Sequence, residues 1–343
     1  MPGNAALLHE KSQLQKPQVN LARPTAARMW LISLCALLAV IQSSLGDSFS
    51  SLILAVCVVA AAVLTEFFFL YFKTGKASAL KDGSAVASAL ILTLLLPNQI
   101  SPFSAAAGAI FAIAVVKHSF GGLGSNWLNP AAGGWLFVRF SWPASFAGPL
   151  EEASSLLLFA ERLRGGMFGP GNGGAYDAYL YNYYAYGAAE PSGAFMEFLA
   201  SPLPGIIADR GGLALLAGIL AITAFRVNRF WIPLVYLAVF GVLARFAAAL
   251  PHGGEAWSGD VLFAICSGGT LAAAFFLASD PATGAKSNRG IFLAAVLGGA
   301  LAFLFRFYGA EPHGAFFAVV FVNAMLPLVR VFERRRLYER CSP

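Results

Sequence analysis

Charge is what this chain has least of. Only 12% of its 343 residues are Asp, Glu, Lys or Arg, against about 25% in an ordinary soluble domain. Hydrophobic residues make up 58%, and the mean hydropathy is +0.69. A surface that faces water on all sides cannot be built from this composition, so a soluble domain is excluded and an integral membrane protein is expected. Cysteine is scarce as well. Cys35, Cys57, Cys266 and Cys341 are scattered without ligand spacing, and His9, His118, His252 and His313 lie far apart. Neither a disulfide framework nor a metal site is expected from them, and the cysteines read as small apolar fillers. Residues 1 to 28 lack an apolar core, so no cleavable signal is expected before the first span. Alternating polar and apolar positions are missing too. Runs such as SLILAVCVVAAAVL are apolar on every face, which excludes a barrel of ~10-residue strands and leaves helices.

Long charge-free runs take the place of what is missing. Ten spans are predicted, at about residues 29–45, 49–72, 84–97, 103–116, 131–149, 212–225, 230–250, 260–278, 290–307 and 314–332. Lys and Arg fall almost wholly on one side of this arrangement. Lys73, Lys76, Lys117, Arg229 and the basic ERRRLYER end share a side with the N-terminal tail, whereas Asp47, Glu151, Glu152, Asp177 and Glu311 lie opposite. The positive-inside rule then places both termini on the cytoplasmic side. The same rule accounts for the net charge of +6 without nucleic acid. The basic end is suited to anionic headgroups of the lipid bilayer, or to a partner subunit.

The spans divide into a tail (1–28), a first membrane repeat (29–149), an outer loop (150–210), a second repeat (211–332) and a basic tail (333–343). Five spans per half would make any duplication an inverted repeat. Gly83 and Pro97 bracket one short apolar stretch and Gly268 and Pro281 another, each at the third span of its half. Paired short segments bounded by Gly and Pro point to broken helices meeting inside the membrane. A tilted bundle with differently placed boundaries is the alternative.

Between the fourth and fifth spans lies KHSFGGLGSNWLNP. No strand precedes it and the third glycine of the fingerprint is not in place, Trp127 standing at that spacing, so it is not a dinucleotide loop. It reads instead as a re-entrant loop lining a cavity: Gly121, Gly122 and Gly124 allow close approach of a planar ring, Asn126 and Asn129 offer amide groups, and Trp127 a stacking face. A plain turn would need the glycines alone.

Four ordered motifs carry a resemblance: KDGSAVASALILTLLLP, KHSFGGLGSNWLNPA, FFLASDPATG with the RG that follows, and HGAFFAVVFVNAMLPLV. Over residues 28 to 336 the chain resembles the membrane subunit shared by two ion-pumping redox complexes. These are the D subunit of Rnf-type ferredoxin:NAD oxidoreductases and the B subunit of the sodium-pumping NADH:quinone oxidoreductase. The resemblance implies an all-α fold of ten transmembrane helices in two five-helix inverted repeats, similar to urea transporters. It also implies flavin cofactors (FMN or riboflavin), partner subunits, and movement of sodium ions or protons. Members of that family carry a D-x-x-S-G-A-T pattern whose threonine is esterified to FMN. The matching stretch here is AEPSGAF, which keeps Ser192, Gly193 and Ala194 but has Ala189 for the aspartate and Phe195 for the threonine. No threonine occurs from 150 to 210, so no covalent FMN is expected and any flavin must be held non-covalently. The outer redox centre is then bound by contacts, supplied by a partner, or missing. The Tyr-rich stretch around Tyr176 to Tyr186 would stack on a ring or form an interfacial girdle. Trp135 stands where the family more often has arginine.

Charge inside a span is costly and therefore informative. Glu66, Asp82 and Asp280 are the candidates for ion coupling, with Asp82 also suited to capping the third span. Arg139, Arg245 and Arg306 read as snorkelling outward or binding a phosphate. Two functions stay open: an electron-transfer subunit in which the flavin supplies the redox chemistry, or a passive channel or carrier for a small solute.

Overall fold

The computed structural model describes residues 25–45, 49–74, 82–119, 122, 126–146, 206–225, 227, 229–248, 250, 256–257, 259, 261–280, 283–284, 287–309 and 313–341. Among them the regular structure is helical, apart from an isolated antiparallel bridge between Pro97 and Ile206. The first helices are α1 (Thr25–Leu45), α2 (Ser50–Thr74), α3 (Ser84–Leu95) and α4 (Pro102–Phe111). The chain of α4 continues as a wider π turn, Ala112–Lys117. After α5 (Pro130–Ser141) come a 3-10 turn, Pro143–Phe146, and the single turn α6 (Ile207–Arg210). The remainder comprises α7 (Gly212–Ala224), α8 (Trp231–Ala247), α9 (Val261–Cys266), α10 (Thr270–Ala272, prolonged by a π turn at Ala273–Ala278), α11 (Asn288–Phe307) and α12 (Gly314–Cys341).

Among the described residues, three helices are long and apolar enough to cross a membrane: Ala26–Leu45, Ser50–Lys73 and Asn288–Phe307. Shorter apolar helices surround them, including Ser84–Leu95, Pro102–Lys117, Gly212–Ala224 and Trp231–Ala247. The chain is thus a multi-pass membrane protein. Its surface helices are apolar outside and small inside. On α1, Leu34, Leu38 and Leu45 face outward while Ala36, Ala39 and Val40 are buried. With lipid no less apolar than the core, close packing of small residues has to hold such helices together. Gly211 and Gly218 show how tight that packing is: a Cβ at Gly211 would lie 2.1 Å from the Ala39 carbonyl oxygen, and one at Gly218 2.9 Å from Cys35 Cβ.

Local sequence explains the helix ends. Pro102 and Pro130 stand in first turns, where a missing N–H costs nothing. Asn129 caps α5, accepting from the Ala131 and Ala132 amides at 3.0 and 3.3 Å, and Ser287 caps α11 through Gly290 at 3.0 Å. Several predicted boundaries move. The fifth span ends as an α-helix at Ser141, and the basic end is helical to Cys341, continuous with α12. The eighth span is two pieces, because Gly268 and Gly269 take left-handed φ values of 62° and 68°.

Candidate functional site

Three elements converge on a buried ion pair. Lys117 Nζ donates to Glu66 Oε1 at 2.6 Å, to Oε2 at 2.8 Å and to Ser84 Oγ at 2.6 Å. Both charged side chains are 2–3% exposed. The π turn is what brings the lysine inward. His118 donates its amide to Ile113 and Gly122 donates to Lys117, both five residues back at 3.1 Å, and this wider winding shifts the face on which residue 117 emerges. Sequence reading counts Lys117 as a loop charge, so its partnership with Glu66 is a correction. A basic residue at the end of a charge-free run, with one acid in the neighbouring span, is the signal that was there to be used.

Asp82 is a cap. Its Oδ1 accepts from the Ser84 amide at 2.8 Å and from Ser84 Oγ at 2.7 Å, one residue ahead of Gly83 with its left-handed φ of 71°. His118 stacks on Phe69 with centroids 4.9 Å apart, and its Nε2 lies 4.0 Å from Glu66 Oε1. Burial, and then the charges of Lys117 and Lys73, hold this imidazole below the ordinary histidine pKa of 6.5.

A second polar contact joins distant parts of the chain. Asn129 Nδ2 donates to Asp280 Oδ2 at 3.0 Å, and Thr283 Oγ1 donates to the same oxygen at 3.3 Å. Asp280 also lines a cavity of about 760 Å³ between α8, α11 and α12, with Trp231, Tyr236, Gly298 and Asn323 in its walls and Arg28 and Arg229 alongside. Tyr236 is wholly buried and Asn323 is 5% exposed, yet the Tyr236 hydroxyl and Asn323 Nδ2 have no hydrogen-bond partner among the described residues. Both residues belong to the wall of this cavity. Neither residue stood out in the sequence, since a Tyr or Asn within an apolar span gives no spacing signal.

The third cluster holds the break between α9 and α10. Arg306 Nη1 donates to the carbonyl oxygens of Ala264 (2.6 Å) and Ser267 (2.8 Å) and to Thr270 Oγ1 (2.9 Å), and Nη2 donates to Ser267 Oγ. Asp209 Oδ1 accepts from the Gly269 amide at 3.1 Å. Arg306 is 2% exposed, so it neither snorkels nor reaches a headgroup. It caps the carbonyl end of one half-helix while Asp209 caps the amide end of the other.

The loop candidates are only partly in view. Gly121, Gly124, Ser192, Gly193, Ala194 and Phe195, with the Tyr-rich stretch, lie outside the described residues. Gly122 has φ 94°, an angle that favours glycine, and among the described residues the nearest atom to a Cβ there would be His118 Nδ1 at 4.0 Å. Asn126 is buried with Oδ1 unpartnered among the described residues, whereas Trp127 is 40% exposed. Trp135 is fully buried edge-on against Phe146, Phe316 and Phe317, joining α5 to α12.

Apolar helices packed around buried charge and a helix break define, among the described residues, a multi-pass all-helical membrane protein. The chain belongs to the NQR2, RnfD, RnfE family, which it matches over residues 13–339. It is 29% identical over 343 residues to the D subunit of the ion-translocating oxidoreductase complex of Vibrio cholerae serotype O1 (strain M66-2), covering 94% of this chain and 97% of that one. It is 28% identical over 328 residues to the D subunit of the proton-translocating ferredoxin:NAD(+) oxidoreductase complex of Clostridium ljungdahlii, covering 93% of each. The corresponding D subunit of Escherichia coli O127:H6 is 29% identical over 346 residues, 94% of this chain and 96% of that one.

Proposed function

We propose that this chain is the membrane subunit of an ion-translocating electron-transport complex. It holds a flavin non-covalently and passes electrons across the membrane, coupled to movement of sodium ions or protons, with the other subunits delivering and collecting the electrons. Its fold is ten transmembrane helices in two inverted five-helix repeats, similar to urea transporters, with both termini on the cytoplasmic side of a bacterial inner membrane. A recurring constellation supports the repeat. Gly83, Ser84 and Lys117 in the first half have counterparts in Gly269, Thr270 and Arg306, each a left-handed glycine, a hydroxyl residue and a cation reaching back to it from the end of the following helix. The names of the relatives support the rest.

The observation that carries the flavin reading is the cavity with its two orphaned donors, Tyr236 OH and Asn323 Nδ2. A flavin ring has carbonyl and ring-nitrogen acceptors for them, Trp231 gives an aromatic wall, and Asp280 can accept from a ring N–H. This moves the expected site from the glycine loop to the cavity beside it, to which Asn129 is tied through Asp280. The flavin supplies one- and two-electron redox chemistry when bound. The chain's own residues orient it, exclude water, and keep a hydrogen-bonded carboxylate at its edge. With Phe195 in place of the threonine, no ester bond is available for FMN at that position.

The test is flavin retained per folded chain. Tyr236→Phe and Asn323→Leu each remove one donor and are expected to weaken retention about fivefold, the equivalent of ~1 kcal/mol per hydrogen bond. Trp127→Ala, a surface change, is expected to leave it unaltered. A wild-type chain that is folded, inserted and free of flavin would contradict this reading and favour a solute channel or carrier.

A further inference from the structure

The pair formed by Glu66 and Lys117 can be asked which ion it accepts. Glu66 Oε1, Glu66 Oε2 and Ser84 Oγ surround a single position at 2.6 to 2.8 Å. A carboxylate and a hydroxyl are oxygen ligands of the kind hard cations use. The occupant is the Lys117 ammonium, and its three N–H donors are matched by these three oxygens. Because the ammonium is tethered, a free cation has to compete with a partner whose effective concentration is very high. Beside it, His118 Nε2 has no hydrogen-bond partner among the described residues and lies 4.0 Å from Glu66 Oε1.

The geometry points to a proton-exchange site from which Lys117 excludes sodium. In the step, once a side-chain rotation or one bridging water closes the 4.0 Å gap, the N–H bond at His118 Nε2 of the imidazolium breaks and an O–H bond forms at Glu66 Oε1. The imidazole becomes neutral, the Glu66 and Lys117 pair passes from zero to one positive charge, and the reverse transfer restores it. No electron moves and Lys117 keeps its proton throughout. Among the described residues, the other charges facing the site are Asp82, ahead of α3, and Lys73, at the end of α2. Asp82 is held by the Ser84 amide and hydroxyl, which leaves Glu66 as the carboxylate in contact with the lysine. The use of this proton for coupling rests on the proposed function, but the titration itself does not.

Infrared difference spectroscopy on the purified full-length chain tests the proposal, with acidification in choline chloride and in sodium chloride at equal ionic strength. The expected result is a protonated carboxyl band, absent in Glu66→Gln, whose midpoint is the same in both salts. In Lys117→Met the midpoint should fall in sodium, by up to about one pH unit per tenfold rise in sodium, while Lys117→Arg, which keeps a tethered cation, should stay sodium-insensitive. His118→Gln should slow deuterium exchange of the band without making it sodium-dependent. Three results would overturn the proposal: a sodium-dependent midpoint in the wild type, no Glu66 band while the chain remains folded, or a sodium-insensitive midpoint in folded Lys117→Met. Flavin measured on the same samples reports on the proposed function separately, since a flavin-free chain can still give either titration.

Discussion

Lys117 and Arg306 occupy comparable places and do different work. Each lies at the end of a helix and reaches a hydroxyl residue that follows a left-handed glycine, Ser84 after Gly83 and Thr270 after Gly269. The arginine's remaining partners are the backbone carbonyls of Ala264 and Ser267 and the Ser267 hydroxyl, which do not titrate in the physiological range. The lysine's remaining partner is the carboxylate of Glu66, which does. A planar guanidinium that stays charged and spans several fixed acceptors suits a structural clamp, and a compact ammonium against a carboxylate suits an exchangeable site. The same backbone device therefore meets neutral acceptors at Arg306 and a carboxylate at Lys117.

The comparison breaks most visibly at the arginine. Arg306→Leu should strand the freed carbonyls of the α9 end and leave Asp209 as a buried charge with less compensation, costing about 3–5 kcal/mol. Thermal unfolding in detergent should show this as a large loss of folded protein, with Arg306→Lys intermediate because one ammonium cannot span all the acceptors. Glu66→Gln leaves a buried ammonium facing a neutral amide. Its expected cost is of the same order, about 3–5 kcal/mol, because an uncompensated charge stays buried, the amide oxygen and Ser84 being the acceptors left to it, and retained flavin should be unchanged.

Glycine substitutions sharpen the comparison along a graded series. A Cβ at Gly269 would meet Phe316 Cζ at 2.3 Å, one at Gly83 would meet the Trp30 ring at 2.9 Å, and one at Gly122 has open space to 4.0 Å. All three have positive φ, so alanine costs about 1 kcal/mol in backbone strain at each. Steric clash is added only at the first two. Stability should fall in the order Gly269→Ala, Gly83→Ala, Gly122→Ala, and equal losses at all three would show that strain alone matters.

The smallest effect concerns pH. His118 is held below its ordinary pKa of 6.5, first by burial and then by Lys117 and Lys73. Below 6.5 the unfolded chain binds this proton more readily than the folded one, so its contribution to stability is full above that pH and declines as pH falls toward the depressed value. Replacing His118 with Gln should flatten the slope of unfolding midpoint against pH in that window.

The helical class and most spans were legible because apolar runs leave no other way to satisfy the backbone in lipid. The short third span was legible from Gly83 and Pro97, and the break in the eighth from Gly268, for the steric reason that left-handed turns need glycine. Glu66 and Asp280 stood out because charge in an apolar run is costly. Their partners did not. Lys117 sits where a helix was expected to have ended, and only the π turn, which has no spacing signature, turns it inward. Asn129 and Asp280 are 151 positions apart, and Tyr236 and Asn323 gain meaning only when three helices close around a cavity.

The most direct measurement of the central claim is to denature the purified wild-type chain and separate protein from small molecules. The account predicts that flavin is present before denaturation and is released in full, with no fluorescent protein band, because contacts in the cavity hold it and Phe195 cannot be esterified. A fluorescent band that survives denaturation would contradict non-covalent binding, and a folded chain that never carried flavin would contradict the redox reading altogether.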